Sequence, residues 1–186
     1  MNAIVEEAAK AIANGGIILY PTDTVWGLGC DPKNDSAIQR IADLKGRELE
    51  NGLILLVDSW PMLERYVKEV PEICNDLVDF AVKPLTIIYP QGQFVSNLLK
   101  GRDGSLAVRI VKHEFCAALI KKMRSGIVST SANLTGARSP ARLSDVEESI
   151  RNAVDYVVNL PDSASSQPPS QILKIGTKNE IQIIRK

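Results

Sequence analysis

The chain has 186 residues, of which 45% are hydrophobic and 24% charged, so its composition is that of a globular protein with one domain. Lys and Arg together number 22, as do Asp and Glu, and this balance indicates no particular class of partner. The widely spaced Cys30, Cys74 and Cys116 and the single His113 argue against a disulfide framework, a zinc motif or a His-rich metal site. Neither a signal peptide nor an apolar run of about 18 residues is found, so we expect a reduced, cytoplasmic protein that does not span a membrane.

Apolar spacing and turn residues divide the chain into helices and strands. The first half is predicted to hold a helix over 2–13, a strand over 17–20, a helix over 35–45, a strand over 53–57, helices over 59–67 and 71–81, and a strand over 85–89. The second half is predicted to hold a strand over 105–111, a helix over 113–123, a strand over 127–130, a helix over 145–151, and strands over 154–159, 171–175 and 180–185. Asp35 or Ser36 is expected to cap the second helix.

The order of these elements predicts the fold class. Strands that alternate with helices indicate an α/β fold with helices flanking a sheet. The last two strands flank a turn at 176–179 and are predicted to form a hairpin, which makes the sheet mixed rather than purely parallel. No repeat or linker divides the chain, so residues 1–186 are predicted to form a single domain. The segment 161–170, rich in Pro and Ser, is expected to be an ordered lid or crossover.

Three polar segments are predicted to lie at the ends of strands, at 21–29, 45–51 and 129–139. In an open α/β sheet such loops converge on one crevice, where ligands usually bind. Any one of them is also explained by ordinary turn and cap residues. Three in one chain favour a binding site.

Cations and hydroxyls in these segments suit a nucleotide. Lys45 and Arg47 either complement the dipole of the preceding helix or clamp phosphate groups. The run STSAN at 129–133 supplies three hydroxyls and an amide that suit phosphate and ribose oxygens. A serine nucleophile is the competing interpretation, but Ser131 lacks a Gly-x-Ser-x-Gly setting and His113 is the only candidate base. The phosphate-binding motifs GxxxxGK[ST] and GxGxxG are absent.

Positive charge is concentrated in one part of the chain. Residues 100–151 carry ten Lys and Arg side chains against five Asp and Glu, an excess of five positive charges. Such a field suits phosphates or RNA, but on composition alone scattered surface charge is the favoured explanation.

Four motifs together resemble the YrdC family of L-threonylcarbamoyladenylate synthases. They are YPTDTVWGLGCDP at 20–32, KGR at 45–47, LAVRI at 106–110 and STSANLTGARSP at 129–140. The resemblance extends from about residue 16 to the C-terminus. It implies a twisted mixed sheet with flanking helices around a concave basic cavity. It also implies a reaction in which L-threonine, bicarbonate or CO2, and ATP give threonylcarbamoyl-AMP and pyrophosphate.

The resemblance also implies roles for individual residues. Lys45 and Arg47 correspond to the catalytic pair that neutralises the phosphates. The positions implied for ATP are Lys45, Arg47, Asn51, Ser105, Ser131, Asn133, Ser139 and Arg185. Those implied for threonine are Thr24, Arg109, Ser129 and Ser170. Mg²⁺ is expected to arrive with ATP, held by its phosphates rather than by protein side chains.

The family context implies partners and leaves alternatives open. Its product serves the N6-threonylcarbamoyladenosine modification of tRNA at adenosine 37, so partner proteins of that transfer and tRNA or RNA itself are expected. A non-catalytic RNA-binding factor with the same basic cavity is the main alternative, although aromatic residues for base stacking make up only 5% of the chain. A third possibility is an adenylating enzyme for a different amine.

Overall fold

A nine-stranded mixed sheet runs through the computed structural model, which describes residues 1–46, 53–160 and 168–186. Its strands in chain order are β1 Ile18–Tyr20, β2 Gly27–Cys30, β3 Ile54–Val57, β4 Leu85–Tyr89, β5 Leu106–Ile110, β6 Ile127–Ser131, β7 Tyr156–Val157, β8 Gln171–Ile175 and β9 Ile181–Arg185. Across the sheet the order is β7-β1-β2-β6-β3-β5-β4-β8-β9. The predicted α/β class is therefore confirmed.

The sheet contains both parallel and antiparallel pairs. Strands β1 and β7, β3 and β5, and β4 and β8 pair in parallel. The remaining neighbours pair antiparallel, including β8 and β9, so the predicted closing hairpin is confirmed.

Strand β2 was not predicted from the sequence. The segment 21–29 was expected to be a polar loop, but Gly27–Cys30 forms a buried strand between β1 and β6. Its sequence GLGC contains two glycines and no β-branched residue, so it lacks the usual signal of a strand. The opening motif is therefore a β-hairpin whose turn is polar and whose second strand lies inside the sheet.

Helices cover both faces of the sheet. They are α1 Asn2–Ala13, α2 Asp35–Lys45, α3 Trp60–Tyr66, α4 Ile73–Asp79, α5 Glu114–Met123 and α6 Glu148–Ala153. The side chain of Asn34, rather than the predicted Asp35 or Ser36, caps α2 by accepting a hydrogen bond from the amide of Ala37. Gly46 ends α2 in the left-handed conformation, with φ +62°. In the described part of the chain, none of these helices is long and apolar enough to cross a membrane.

Two hydrophobic cores lie on opposite faces of the sheet. Side chains along a strand alternate between faces, and thus Val128 packs with α2, α3, α4 and α6 while Ile127 packs with α1 and α5. Ser129 and Ser131 follow Ile127 at a spacing of two and lie on its face. Arg109 pairs across the sheet with Leu56, which also belongs to the α1 and α5 core. The polar residues of β5 and β6 therefore continue the face that α1 and α5 cover.

Candidate active site

A cavity of about 130 Å³ opens among these polar residues. That volume is about ten times what one water molecule needs. Two guanidinium groups, those of Arg109 and Arg185, line it together with hydroxyl side chains. These hydroxyls belong to Thr22, Thr24, Ser129, Thr130, Ser131, Ser139 and Ser170. The lining is thus cationic and rich in hydrogen-bonding groups, which suits an anionic polar ligand.

Most of the predicted site residues meet at this cavity. The four positions assigned to threonine, Thr24, Arg109, Ser129 and Ser170, all line it. The ATP-side positions Ser131, Ser139 and Arg185 line it as well. Arg47 and Asn51 lie outside the described residues.

Arg109 supplies a buried charge to the cavity. It projects from β5 and only 4% of it is exposed to solvent. Its Nη2 lies 3.1 Å from Oδ1 of Asp23, and its Nη1 donates a hydrogen bond of 3.4 Å to the hydroxyl of Thr24. Its Nε is buried and has no hydrogen-bond partner among the described residues. A buried N–H without a partner is costly, so this donor is suited to a ligand oxygen.

Asp23 is the residue of this site that the sequence did not assign. It lies in the turn of the β1–β2 hairpin, where the sequence explains a carboxylate equally well as a turn residue or as a group that supports the site. In the structure its Oδ2 accepts a hydrogen bond of 3.3 Å from the amide of Lys112, just beyond β5. Its pairing with Arg109 spans 86 positions of the chain, and no local sequence signal reports such a pair.

The opposite wall of the cavity is built from the closing hairpin. Arg185 on β9 donates from Nε and Nη2 to the carbonyl of Ser170, at 2.9 and 2.7 Å. The hydroxyl of Ser170 lies 2.8 Å from that of Thr86 on β4. Partial burial, followed by the nearby charge of Arg109, lowers the pKa of Arg185. The two guanidiniums therefore repel each other across the cavity, and an anion between them would relieve this.

Lys45 joins two of the predicted segments. Its side chain is 2% exposed, and its Nζ donates to the carbonyls of Ser131 and Asn133 at 2.5 and 2.7 Å. The hydroxyl of Thr135 in turn donates to the Lys45 carbonyl at 2.9 Å. Lys45 belongs to the end of α2 rather than to a strand end, and it does not line the cavity. It holds the loop after β6 in place, and its contact with phosphate stays a prediction.

The opening hairpin is fastened to that same loop. The amide of Trp26 donates to the carbonyl of Pro140, and the amide of Ala132 donates to the carbonyl of Trp26, both at 2.9 Å. The segments 21–29 and 129–139 thus form one continuous wall, and their convergence on one crevice agrees with the prediction for these polar segments.

The hydroxyl of Ser105 and the side-chain nitrogen of Asn133 form hydrogen bonds within the protein. The hydroxyl of Ser105 donates to Asp103 at 2.5 Å, and the ammonium of Lys174 also pairs with Asp103. The contact with Lys174, followed by that with Ser105, lowers the pKa of Asp103. The amide nitrogen of Asn133 donates to the carbonyls of Leu134 and Ala137. Neither residue lines the cavity. The Oδ1 of Asn133 is buried without a hydrogen-bond partner among the described residues.

The remaining reactive side chains lie apart from the cavity lining. His113 is not among the lining residues, which weakens the serine-nucleophile interpretation because that mechanism needs a base beside Ser131. Cys30, Cys74 and Cys116 are buried free thiols, and burial raises the pKa of each. Among the described residues, no group of three or more His, Cys, Asp or Glu side chains is placed to hold a metal ion.

The sequence as a whole matches one known family. The Sua5/YciO/YrdC family model, described as "Telomere recombination", matches residues 10–186. The chain belongs to this family. As a member, it is 37% identical to a protein from Idiomarina loihiensis named threonylcarbamoyl-AMP synthase, over 87% of this chain and 89% of the other. It is 34% identical to an Acinetobacter baumannii protein of the same name, over 96% and 97% of the two chains.

Solved structures of this family share the fold. A variant of P. abyssi Sua5 superposes with a TM-score of 0.87 at 29% identity, over 97% of this chain and 55% of that longer chain. P. abyssi Sua5 complexed with L-threonine gives a TM-score of 0.82 at 29% identity, over 92% of this chain and 50% of the other. E. coli YciO gives a TM-score of 0.87 at 20% identity, which supports the fold alone. The chain thus spans about half the length of the P. abyssi protein.

Proposed function

We propose that this protein is a threonylcarbamoyl-AMP synthase, which converts L-threonine, bicarbonate or CO2, and ATP into threonylcarbamoyl-AMP and pyrophosphate. The family relatives named above carry this activity in their names, at 34–37% identity over most of both chains. A structural relative has been solved with L-threonine. The observation in this molecule that best supports the proposal is the buried Arg109 beside a hydroxyl-lined cavity, because its Nε has no partner in the described part of the chain.

The cavity suits the amino-acid substrate. The carboxylate of L-threonine would accept hydrogen bonds from Arg109, a charge-assisted contact worth roughly 1.5–3 kcal/mol. The hydroxyls of Thr24, Ser129 and Ser170 line the same space and would contact the polar groups of the amino acid. We place the amine towards the nucleotide, because it must become the carbamate that reacts.

The chemical step requires positioning more than acid–base catalysis. The amine nitrogen adds to CO2 and loses a proton, giving a carbamate. A carbamate oxygen then attacks the α-phosphorus of ATP, the bond from that phosphorus to the bridging oxygen breaks, and pyrophosphate leaves. A carbamate already carries negative charge, so the chain needs no base beside Ser131 for this attack. Positioned donors that neutralise the phosphate charge supply the catalysis.

The nucleotide would lie along the wall formed by the loop after β6. Ser131 and Ser139 line the cavity, and the side-chain carbonyl oxygen of Asn133 has no partner within the described ranges. Lys45 donates to the backbone carbonyls of Ser131 and Asn133. Arg47 and Asn51 complete this group in the proposal. Among the described residues that line the cavity there is no carboxylate, so Mg²⁺ would be held by the ATP phosphates and neutralise their charge.

We further propose a place for this reaction in tRNA modification. Threonylcarbamoyl-AMP is a mixed anhydride, and its consumer must be an enzyme that transfers the acyl group to a nucleophile such as the N6 amine of a tRNA adenosine. Partner proteins of that transfer, bound tRNA and a cytoplasmic site of action belong to the same proposal. The non-catalytic RNA-binding alternative is disfavoured, because relatives similar over nearly the whole chain are named as synthases.

The experiment that tests this function is an adenylation assay. Purified protein is incubated with ATP, bicarbonate and each amino acid in turn, and pyrophosphate and acyl-adenylate are measured by coupled assay and mass spectrometry. We expect a product with L-threonine that depends on bicarbonate, and a loss of at least about tenfold in Arg109→Gln. Arg40→Gln is the matched control, since Arg40 forms an exposed ion pair with Asp155 away from the cavity. Product with another amine would indicate a different substrate, and RNA binding without turnover would favour the non-catalytic alternative.

A further inference from the structure

We infer that Asp23 is a positioning residue for substrate binding, which holds the guanidinium of Arg109 so that its unpartnered edge faces the amino-acid carboxylate. This inference rests on the proposed function. Asp23 itself does not line the cavity, so its effect on the ligand passes through Arg109.

The ion pair between Arg109 and Asp23 is buried. The side chains of Arg109 and Asp23 are 4% and 11% exposed, and their Nη2 and Oδ1 atoms are 3.1 Å apart. In the ion pairs Arg40–Asp155, Lys122–Glu6 and Lys174–Asp103, each side chain is at least 37% exposed. Exposed pairs of this kind contribute little, whereas removing one partner of a buried pair leaves an uncompensated charge. Asp23 therefore has a much larger effect on its partner than a surface carboxylate has.

The protein contacts two of the three nitrogens of the Arg109 guanidinium. Asp23 pairs with Nη2 and Thr24 accepts from Nη1, so the two ends of the group are held from one side by the β1–β2 hairpin. The Nε has no partner among the described residues, although it is buried. Two of the three nitrogens are thus held by the protein, while the third is left for a ligand. A guanidinium has a rigid planar fork, and fixing two nitrogens fixes the direction of the third.

Hydrogen bonds hold the turn that carries Asp23. The hydroxyl of Thr22 donates to the carbonyl of Val25 at 2.7 Å and lies 3.0 Å from the hydroxyl of Thr24. Because the Thr22 proton is used on Val25, Thr24 must donate to Thr22, which leaves the Thr24 oxygen to accept from Arg109. The amide of Lys112 also donates to Oδ2 of Asp23. Asp23 is therefore fixed relative to both the hairpin and the end of β5.

The test compares ligands with and without a carboxylate. Calorimetric dissociation constants for L-threonine and L-threoninamide are measured with the wild type, Asp23→Asn, Asp23→Glu and the double variant Asp23→Asn with Arg109→Gln. Glu6→Gln, which removes an exposed ion pair with Lys122, is the matched control. Folding of each variant is checked by circular dichroism, and the charge-retaining Asp23→Glu keeps the test valid if Asp23→Asn does not fold.

We expect Asp23→Asn to weaken L-threonine binding roughly ten- to hundredfold, the range for a misplaced charged hydrogen bond. L-Threoninamide binding should change less than about twofold, since it lacks the carboxylate that Arg109 contacts. Asp23→Asn should have little further effect in the Arg109→Gln background, because coupled residues are not additive. Asp23→Glu should retain part of the affinity, and Glu6→Gln all of it.

Three results would overturn the inference. They are unchanged L-threonine affinity in Asp23→Asn, an equal loss for both ligands, or effects of the two substitutions that simply add. Turnover is measured separately: a wild type that binds L-threonine but forms no adenylate refutes the proposed function and leaves the role of Asp23 to be read from binding.

Discussion

The buried ammonium of Lys45 offers a direct test of how the site wall is held together. Lys45→Met keeps the aliphatic stem and removes the Nζ that donates to the carbonyls of Ser131 and Asn133 at 2.5 and 2.7 Å. Each hydrogen bond to a charged group contributes roughly 1.5–3 kcal/mol to stability. Removing the buried charge also removes the cost of its desolvation, which offsets part of the loss. We therefore expect the free energy of unfolding to fall by about 3 kcal/mol.

The measurement is equilibrium unfolding in urea, followed by far-UV circular dichroism. Lys122→Met is the matched control, because its ammonium pairs with Glu6 where the two side chains are 47% and 58% exposed. An exposed pair contributes up to about 1 kcal/mol, so the control should stay close to the wild type. If the free energy of unfolding of Lys45→Met also falls by less than about 1 kcal/mol, the two carbonyl contacts do not hold the loop in place.

Further predictions concern the hairpin glycines and the histidine. A Cβ at Gly29 would lie 2.7 Å from Cε1 of Tyr20 and 2.9 Å from the Val128 carbonyl, so Gly29→Ala should lose about 1–3 kcal/mol in thermal denaturation. At Gly27 the nearest atoms are 3.1 Å and farther, so Gly27→Ala should destabilise less, yet raise the KM for the amino acid because it fills the cavity; an unchanged KM would contradict this. Burial lowers the pKa of His113, so the unfolded chain takes up its proton first as the pH falls below about 6.5, and stability should decline there. Urea titrations at about pH 7.5 and 5.5 should show a smaller decline in His113→Asn, and an equal decline would refute the assignment.

The sequence alone determined the class of the fold and predicted residues that the structure brings together at one cavity. Helical spacing located the helices, because burial of one helix face imposes a periodic pattern that is visible locally. Short apolar runs located eight of the nine strands, because a buried strand is apolar along its length. The motifs predicted that Thr24, Arg109 and Ser131 share a site, and these residues line one cavity. Hydroxyls clustered after a strand are a local signal, whereas Arg109 lies inside β5 and was assigned from the family resemblance.

Only the tertiary structure decided which side chains line the cavity and which hold other residues. The sequence left Lys45 open between complementing the helix dipole and clamping phosphate, and in the structure its ammonium donates to two backbone carbonyls. The sequence left Asp23 open between a turn residue and a group that supports the site, and in the structure it pairs with Arg109, 86 positions away in the chain. The glycine-rich strand β2 shows no propensity for a strand and forms because β1 and β6 lie on either side of it. Each of these outcomes depends on which strands are neighbours in the sheet, and strand order follows from long-range packing that no local pattern specifies.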